Sequence, residues 1–151
     1  MACENPPAAN SPEVQNPSRS VGRSGVANIP VISIIDDDEL VRGAVKDLVR
    51  SLGYVATAYS SAEEYLRSDG VRNTSCLITD VQMPGMSGAD LQTHLMAKGD
   101  TTPFIFMTAF ANERTRTRVL QAGAFGYLQK PFDNDTLIEC LETALKTRRC
   151  A

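Results

Sequence analysis

The stretch "LITDVQMPGMSG" (77–88) decides how this chain folds. It opens as an apolar run, delivers one carboxylate at Asp80, and passes at once into a loop holding Pro84, Gly85 and Gly88. A short apolar run bounded by such turn residues reads as a buried strand. An acid at the carboxyl end of a buried strand needs a partner for its charge, because an isolated carboxylate in apolar surroundings is costly. The turn explains the glycines and leaves the aspartate unexplained.

Outward from this strand, short apolar runs alternate with helical patterns, the signal for βα units around a parallel sheet. Five units fit. The first pairs "VISII" (31–35) with a helix through 39–52, whose stripe is Val41, Val45, Leu48 and Leu52 and whose stop is Gly53. The second pairs 54–59 with a short helix in which Ser61 precedes Glu64 at capping-box spacing. The third pairs 76–80 with a helix over 88–98 capped by Ser87, and the fourth pairs 104–109 with a polar helix over 112–121. The fifth pairs 126–130 with a helix capped by Asp133, lined by Leu137, Leu141, Ala144 and Leu145, with Lys146, Arg148 and Arg149 suiting its negative end. Residues 1–29 contain no Leu and no aromatic residue, and with Pro30 they take five of the eight prolines. Such a segment cannot bury enough apolar surface to offset its ordering entropy, so it is expected to be a disordered tail.

Composition narrows the class. The 151 residues suit one domain that needs no metal or disulfide to be stable. A charge of −3 with 42% hydrophobic and 22% charged residues argues against a general nucleic-acid binder. No apolar run approaches the roughly 20 residues that span a bilayer, and a cytoplasmic location is expected. Cys3, Cys76, Cys140 and Cys150 form no CxxC pair, which indicates reduced thiols.

Right-handed βα crossovers gather every strand's carboxyl end at one edge of the sheet. That edge collects Asp36, Asp37 and Asp38 after the first strand, Asp80 after the third, Thr108 near the end of the fourth and Lys130 after the fifth. Each group alone has a plainer reading: helix capping for the Asp run, a turn for Asp80, a strand end for Lys130–Pro131. Their convergence under one topology favours chemistry. Several carboxylates in one cleft repel one another unless a cation compensates, and an oxygen-rich site suits a hard divalent ion such as Mg2+.

The segments "IIDDDE", "LITDVQMPGMSG", "FMTAF" and "GAFGYLQKPF" resemble the receiver domain of bacterial two-component response regulators, in detail its FixJ-like branch. The resemblance covers about residues 30–147 and leaves 148–151 as a C-terminal tail or the start of a linker. It implies an α/β, flavodoxin-like (βα)5 doubly wound parallel sheet of strand order 2-1-3-4-5, an arrangement for which a receiver serves as a standing example. It also implies a phosphoacceptor signalling domain, not an enzyme acting on other substrates. Asp80 is then the phosphoacceptor and takes its phosphoryl group from a sensor-kinase phosphohistidine or a phosphotransfer protein. Asp37, Asp80 and the Gln82 carbonyl ligate Mg2+, Asp36 holds its water, and Lys130 binds the phosphoryl group through a cis Lys130–Pro131 peptide. Thr108 and Tyr127 are the switch pair, and Gln82 and Phe110 tune the phosphoryl lifetime. The surface of the fourth helix, fifth strand and fifth helix is the implied output and a possible homodimer contact.

Other residues stay structural. Asp38 reads as a cap, His94 as a surface or half-buried side chain, and Arg114, Arg116 and Arg118 as a solvated helix without a nucleic-acid contact. Cys76 and Cys140 read as core fillers, and Met83 and Met86 as parts of the acceptor loop. The rival class is an enzyme. "IIDDDEL" also fits the DxD pattern of haloacid-dehalogenase-like phosphatases, with Asp36 as nucleophile and Asp38 as acid–base, although that family's later acidic motif is missing. A third reading is an adaptor that signals without phosphate. No helix-turn-helix pattern follows Cys150, so the chain is expected to be either a stand-alone receiver or the excised first domain of a longer regulator.

Overall fold

Five parallel strands, β1 (Val31–Ile35), β2 (Val55–Tyr59), β3 (Cys76–Asp80), β4 (Phe104–Thr108) and β5 (Gly126–Gln129), form one sheet in the order β2-β1-β3-β4-β5. All four pairings are parallel, with Ile35 beside Thr79, Asp80 beside Met107 and Thr108 beside Gln129. The expected doubly wound sheet and its order are therefore present, with every strand end within one residue of its expected place. The computed structural model describes residues 29–150, with side chains to Thr147. The expected tail, apart from Ile29, lies outside the described residues.

The helices are α1 (Glu39–Ser51), α2 (Ala62–Leu66), α3 (Gly70–Asn73), α4 (Gly88–Ala97), α5 (Glu113–Gln121) and α6 (Asn134–Cys150). Ser61 and Ser87 cap their helices as expected, and Asn112 adds a cap to α5. Ser61 accepts from the Glu64 amide at 3.0 Å, Ser87 from Asp90 at 3.0 Å and Asn112 from Thr115 at 3.1 Å, each satisfying an orphan amide of the first turn. Gly53, at φ 93°, donates to Arg50 O and ends α1 in the left-handed conformation that favours glycine. Helix α3 is an addition to the expected pattern, since four residues starting on a glycine carry no readable period. It is seated by Thr74, whose hydroxyl donates to Gly70 O and meets the Ser33 hydroxyl, both at 2.6 Å. With α3 counted, the expected fourth and fifth helices are α5 and α6.

Alternation along the strands splits the core into two layers. Ile32, Ile34, Ile78, Ile105, Met107 and Leu128 pack with α1 and α6 on one face. Ile35, Leu77, Phe104 and Phe106 pack with α2, α4 and α5 on the other. Each fully buried Ile or Leu contributes roughly 1.5–3 kcal/mol. Helix α5 is the least embedded of the longer helices, with Val119 its one buried residue and Leu120 packed at the margin. No helix among the described residues is long and apolar enough to cross a membrane.

Candidate functional site

The period of two that builds the core also delivers the site. Asp36, Asp80 and Lys130 each stand two residues beyond a core side chain of the α1/α6 layer, namely Ile34, Ile78 and Leu128. Their side chains meet. The Lys130 ammonium donates to Asp36 Oδ2 at 2.8 Å and to Asp80 Oδ2 at 3.0 Å. The lysine side chain is 16% exposed, Asp36 0% and Asp80 9%, so both bonds are shielded from water. The Lys130–Pro131 peptide is cis, as the resemblance implied.

Asp36 is held at four points. Its amide donates to Tyr59 O, its Oδ1 accepts from the Asp38 amide at 2.8 Å, its Oδ2 accepts from Lys130, and its carbonyl accepts from Arg42 Nη1 at 2.6 Å. Burial pushes the Asp36 carboxyl above its usual range, with the lysine and the Asp38 amide opposing that rise and Asp80 adding to it. Burial by itself lowers Lys130, but its bonds to Asp36 and Asp80 and their charges outweigh that and hold the ammonium above its ordinary range. Asp37 is exposed beside them, and one carboxylate oxygen from each of Asp36, Asp37 and Asp80 lies within 4.8 Å of the others. Three acids and one ammonium leave negative charge uncompensated. A set of hard oxygen donors with net negative charge fits a small divalent cation.

Asp80 Oδ1 accepts from the Gln82 amide at 3.0 Å, which aims the carboxylate and exposes the Gln82 side chain. The loop after Asp80 is fixed at further points that sequence reasoning missed. Gly88 N donates to Val81 O at 2.8 Å, buried Met83 packs into the core, and Met86 N donates to Glu63 Oε2 at 2.9 Å. Gly88 itself is required by contact, because a Cβ there would clash with the Asp80 carbonyl oxygen. The glycine reads from sequence as a loop residue; nothing local reveals the strand carbonyl it abuts.

Thr108 extends the opposite layer, two residues beyond Phe106, and is fully buried. Its hydroxyl bonds within its own loop, donating to Phe110 O at 3.1 Å and accepting from Phe110 N at 3.2 Å. Phe110 is 73% exposed. Tyr127 is half-buried, and its hydroxyl accepts from Asn112 N at 3.1 Å and sits 3.4 Å from Asn112 O, pinning the start of α5. Buried Gln92 joins α4 to α5 by donating to Val119 O at 3.2 Å, a contact without a sequence signal. His94 is half-buried, and Arg114, Arg116 and Arg118 are exposed. Two of these arginines face acids, Arg116 with Glu113 and Arg118 with Asp90.

The DxD alternative fits these positions poorly. Asp38 spends its carboxylate capping α1, accepting from Leu40 N at 2.9 Å and Val41 N at 3.4 Å. Asp36, its required nucleophile, is fully buried with both oxygens bonded.

Known proteins share this sequence and fold. The family described as "Response regulator receiver domain" matches residues 32–142. The response regulator protein TmoT of Ectopseudomonas mendocina is 40% identical over 116 residues, 77% of this chain and 53% of that protein. The transcriptional regulatory protein FixJ of Azorhizobium caulinodans is 33% identical over 114 residues, 76% of this chain and 54% of that one. This chain thus spans about half the length of the curated relatives it matches. Among solved structures, response regulator StyR superposes with a TM-score of 0.75 at 34% identity, covering 81% of this chain and 62% of that one. FixJ-N superposes at 0.71 with 28% identity, covering 80% and 96%. With its acids and lysine gathered at the edge of a 2-1-3-4-5 sheet, the chain belongs to the response-regulator receiver domains.

Proposed function

We propose that this receiver, over about residues 30–147, accepts a phosphoryl group on Asp80 from a phosphohistidine of a sensor kinase or phosphotransfer protein, with Mg2+ bound beside it. The observation that carries the reading is the Lys130 ammonium held between Asp36 and Asp80 at 2.8 and 3.0 Å, with an Asp37 oxygen in the same cluster. An Asp80 carboxylate oxygen attacks phosphorus, the P–N bond breaks as the P–O bond forms, and the imidazole nitrogen takes the electron pair. Phosphoryl transfer depends chiefly on alignment and charge stabilisation. Lys130 neutralises the incoming phosphoryl oxygens, the Gln82 amide fixes the attacking carboxylate, and Asp36 holds Lys130 in place. Asp37, Asp80 and the Gln82 carbonyl would hold Mg2+, with Asp36 supporting them from the buried side. The metal, when bound, offsets the negative charge shared by acids and phosphoryl group.

The new acceptor oxygens on Asp80 compete for the Thr108 hydroxyl, which must then leave its bonds to Phe110. Tyr127 follows into the space, releasing Asn112 and the N-terminus of α5. The lightly embedded α5, with β5 and α6, is the output surface toward a downstream partner, an output domain or a second copy. Moving such a switch from 1:99 to 99:1 needs about 5.5 kcal/mol of differential interaction, within reach of a few charge-assisted bonds. Phe110, bulky and apolar, obstructs the water that hydrolyses the acyl phosphate, with Gln82 as the second tuning position. Acetyl phosphate with Mg2+ should add one phosphoryl group to the intact protein and change its size in solution. The Asp80→Asn variant should show neither change, and equal labelling of that variant refutes the reading.

A further inference from the structure

Arg42 stands outside every role assigned so far, yet it makes one of the shortest side-chain bonds in the molecule. It sits one turn into α1, where its amide donates to Asp38 O at 2.9 Å, and its Nη1 reaches back to the Asp36 carbonyl at 2.6 Å. We propose that Arg42 is a positioning residue for the cation site: it fixes the Asp36–Asp37 peptide, and so the direction in which Asp37 presents its carboxylate. The inference rests on the metal-binding reading above and extends it to a residue that touches neither metal nor phosphate.

The geometry explains why Asp37 needs such help. Asp36 is buried and anchored through its amide, both carboxylate oxygens and its carbonyl. Asp37 is exposed, and its orientation is inherited from the peptide that precedes it. The rotation of that peptide is limited by the bond to the Asp36 carbonyl, and the donor is Arg42. The guanidinium is half-buried against the fold, which limits the freedom of its bond to the Asp36 carbonyl. Partners that orient metal ligands typically change metal affinity 10- to 100-fold when lost.

Orientation and charge predict opposite signs, which makes the test decisive. A cation near a metal site repels the metal, so if Arg42 acted only through charge, its removal should tighten binding. If it acts by positioning, removal should weaken binding. The experiment measures Mn2+ binding by electron paramagnetic resonance of the free ion, with Mg2+ competition, on the 151-residue wild-type chain, Arg42→Met, Arg42→Lys and Asp37→Asn. We expect wild type to bind, Asp37→Asn to lose most binding, and Arg42→Met to bind roughly tenfold more weakly. Arg42→Lys, which keeps a donor able to reach the carbonyl, should recover part of the loss. Unchanged or tighter binding in Arg42→Met, or an equal loss in Arg42→Lys, overturns the inference. Urea unfolding in metal-free buffer checks that each variant is folded, and Arg42→Gln takes the place of Arg42→Met should the latter not fold. Absence of Mn2+ binding in the wild type defeats the metal-site reading itself, a result distinct from failure of the Arg42 inference.

Discussion

Replacing Lys130 by Met should cost about 3 kcal/mol of stability at neutral pH without metal. The lysine makes two shielded bonds, to Asp36 at 2.8 Å and Asp80 at 3.0 Å. Hydrogen bonds to charged groups contribute roughly 1.5–3 kcal/mol each, so two amount to about 3–6 kcal/mol. The desolvation of the ammonium, relieved in the variant, brings the net toward the lower end. What remains is a fully buried Asp36 without a counter-ion. Its carboxyl already lies above the ordinary range because of burial, and the lysine is the largest opposing influence, so the variant drives it higher still. A group whose folded pKa is raised contributes stability below its unfolded value and loses it as pH rises through the folded value. The deficit of Lys130→Met should therefore shrink as pH falls toward 3.8, the ordinary Asp value. Lys130 is raised too, so its own contribution is complete below 10.5 and disappears only as pH rises through its higher folded value. The assay is urea unfolding followed by circular dichroism, because the chain has no tryptophan. Combining Lys130→Met with Asp36→Asn should cost clearly less than the sum of the single changes. A loss under about 1 kcal/mol, or strict additivity, refutes the shielded-pair account.

Three other outcomes are expected. Gly88→Ala drives a methyl into the Asp80 backbone carbonyl, which cannot rotate away, and should destabilise by about 2–3 kcal/mol in the same assay; a change under about 0.5 kcal/mol contradicts the close approach. Glu64 is held below its ordinary value by the Ser60 amide and hydroxyl, so its contribution is present above 4.5 and fades as pH falls through its lower folded value. Glu64→Gln should flatten that part of the acid limb, and an unchanged limb counts against the capping role. Phe110→Ala should shorten the lifetime of the phosphorylated protein, measured by intact mass after donor removal; slower decay in the variant rejects the shielding role.

The sheet was legible because its signal is local. "VISII", "CLITD" and "FIFMT" are apolar runs closed by acids or turn residues, and their two-residue alternation fixes which side chains face α1 and α6. The gathering of Asp36, Asp80 and Lys130 followed from topology, since parallel strands end on one edge. Helix α3 was missed because Gly70–Asn73 makes a single turn, too short for a helical period to repeat. Arg42, Glu63, Gln92 and Gly88 were missed for a different reason. Each bonds or abuts a backbone group outside its own element, from six residues away for Arg42 to 27 for Gln92, and a backbone carbonyl or amide carries no residue-type signature to find. The state of Thr108 was likewise invisible: its hydroxyl bonds Phe110, two residues on, through loop geometry alone.

Covalent mapping reads out whether the acyl phosphate forms on Asp80. Protein treated with acetyl phosphate and Mg2+ is reduced with borohydride, which converts a phosphorylated aspartate to homoserine, and then digested for peptide mass sequencing. The account predicts homoserine at position 80. Homoserine at position 36, as the DxD phosphatase reading requires, or none at any aspartate of a folded, metal-loaded protein, contradicts it.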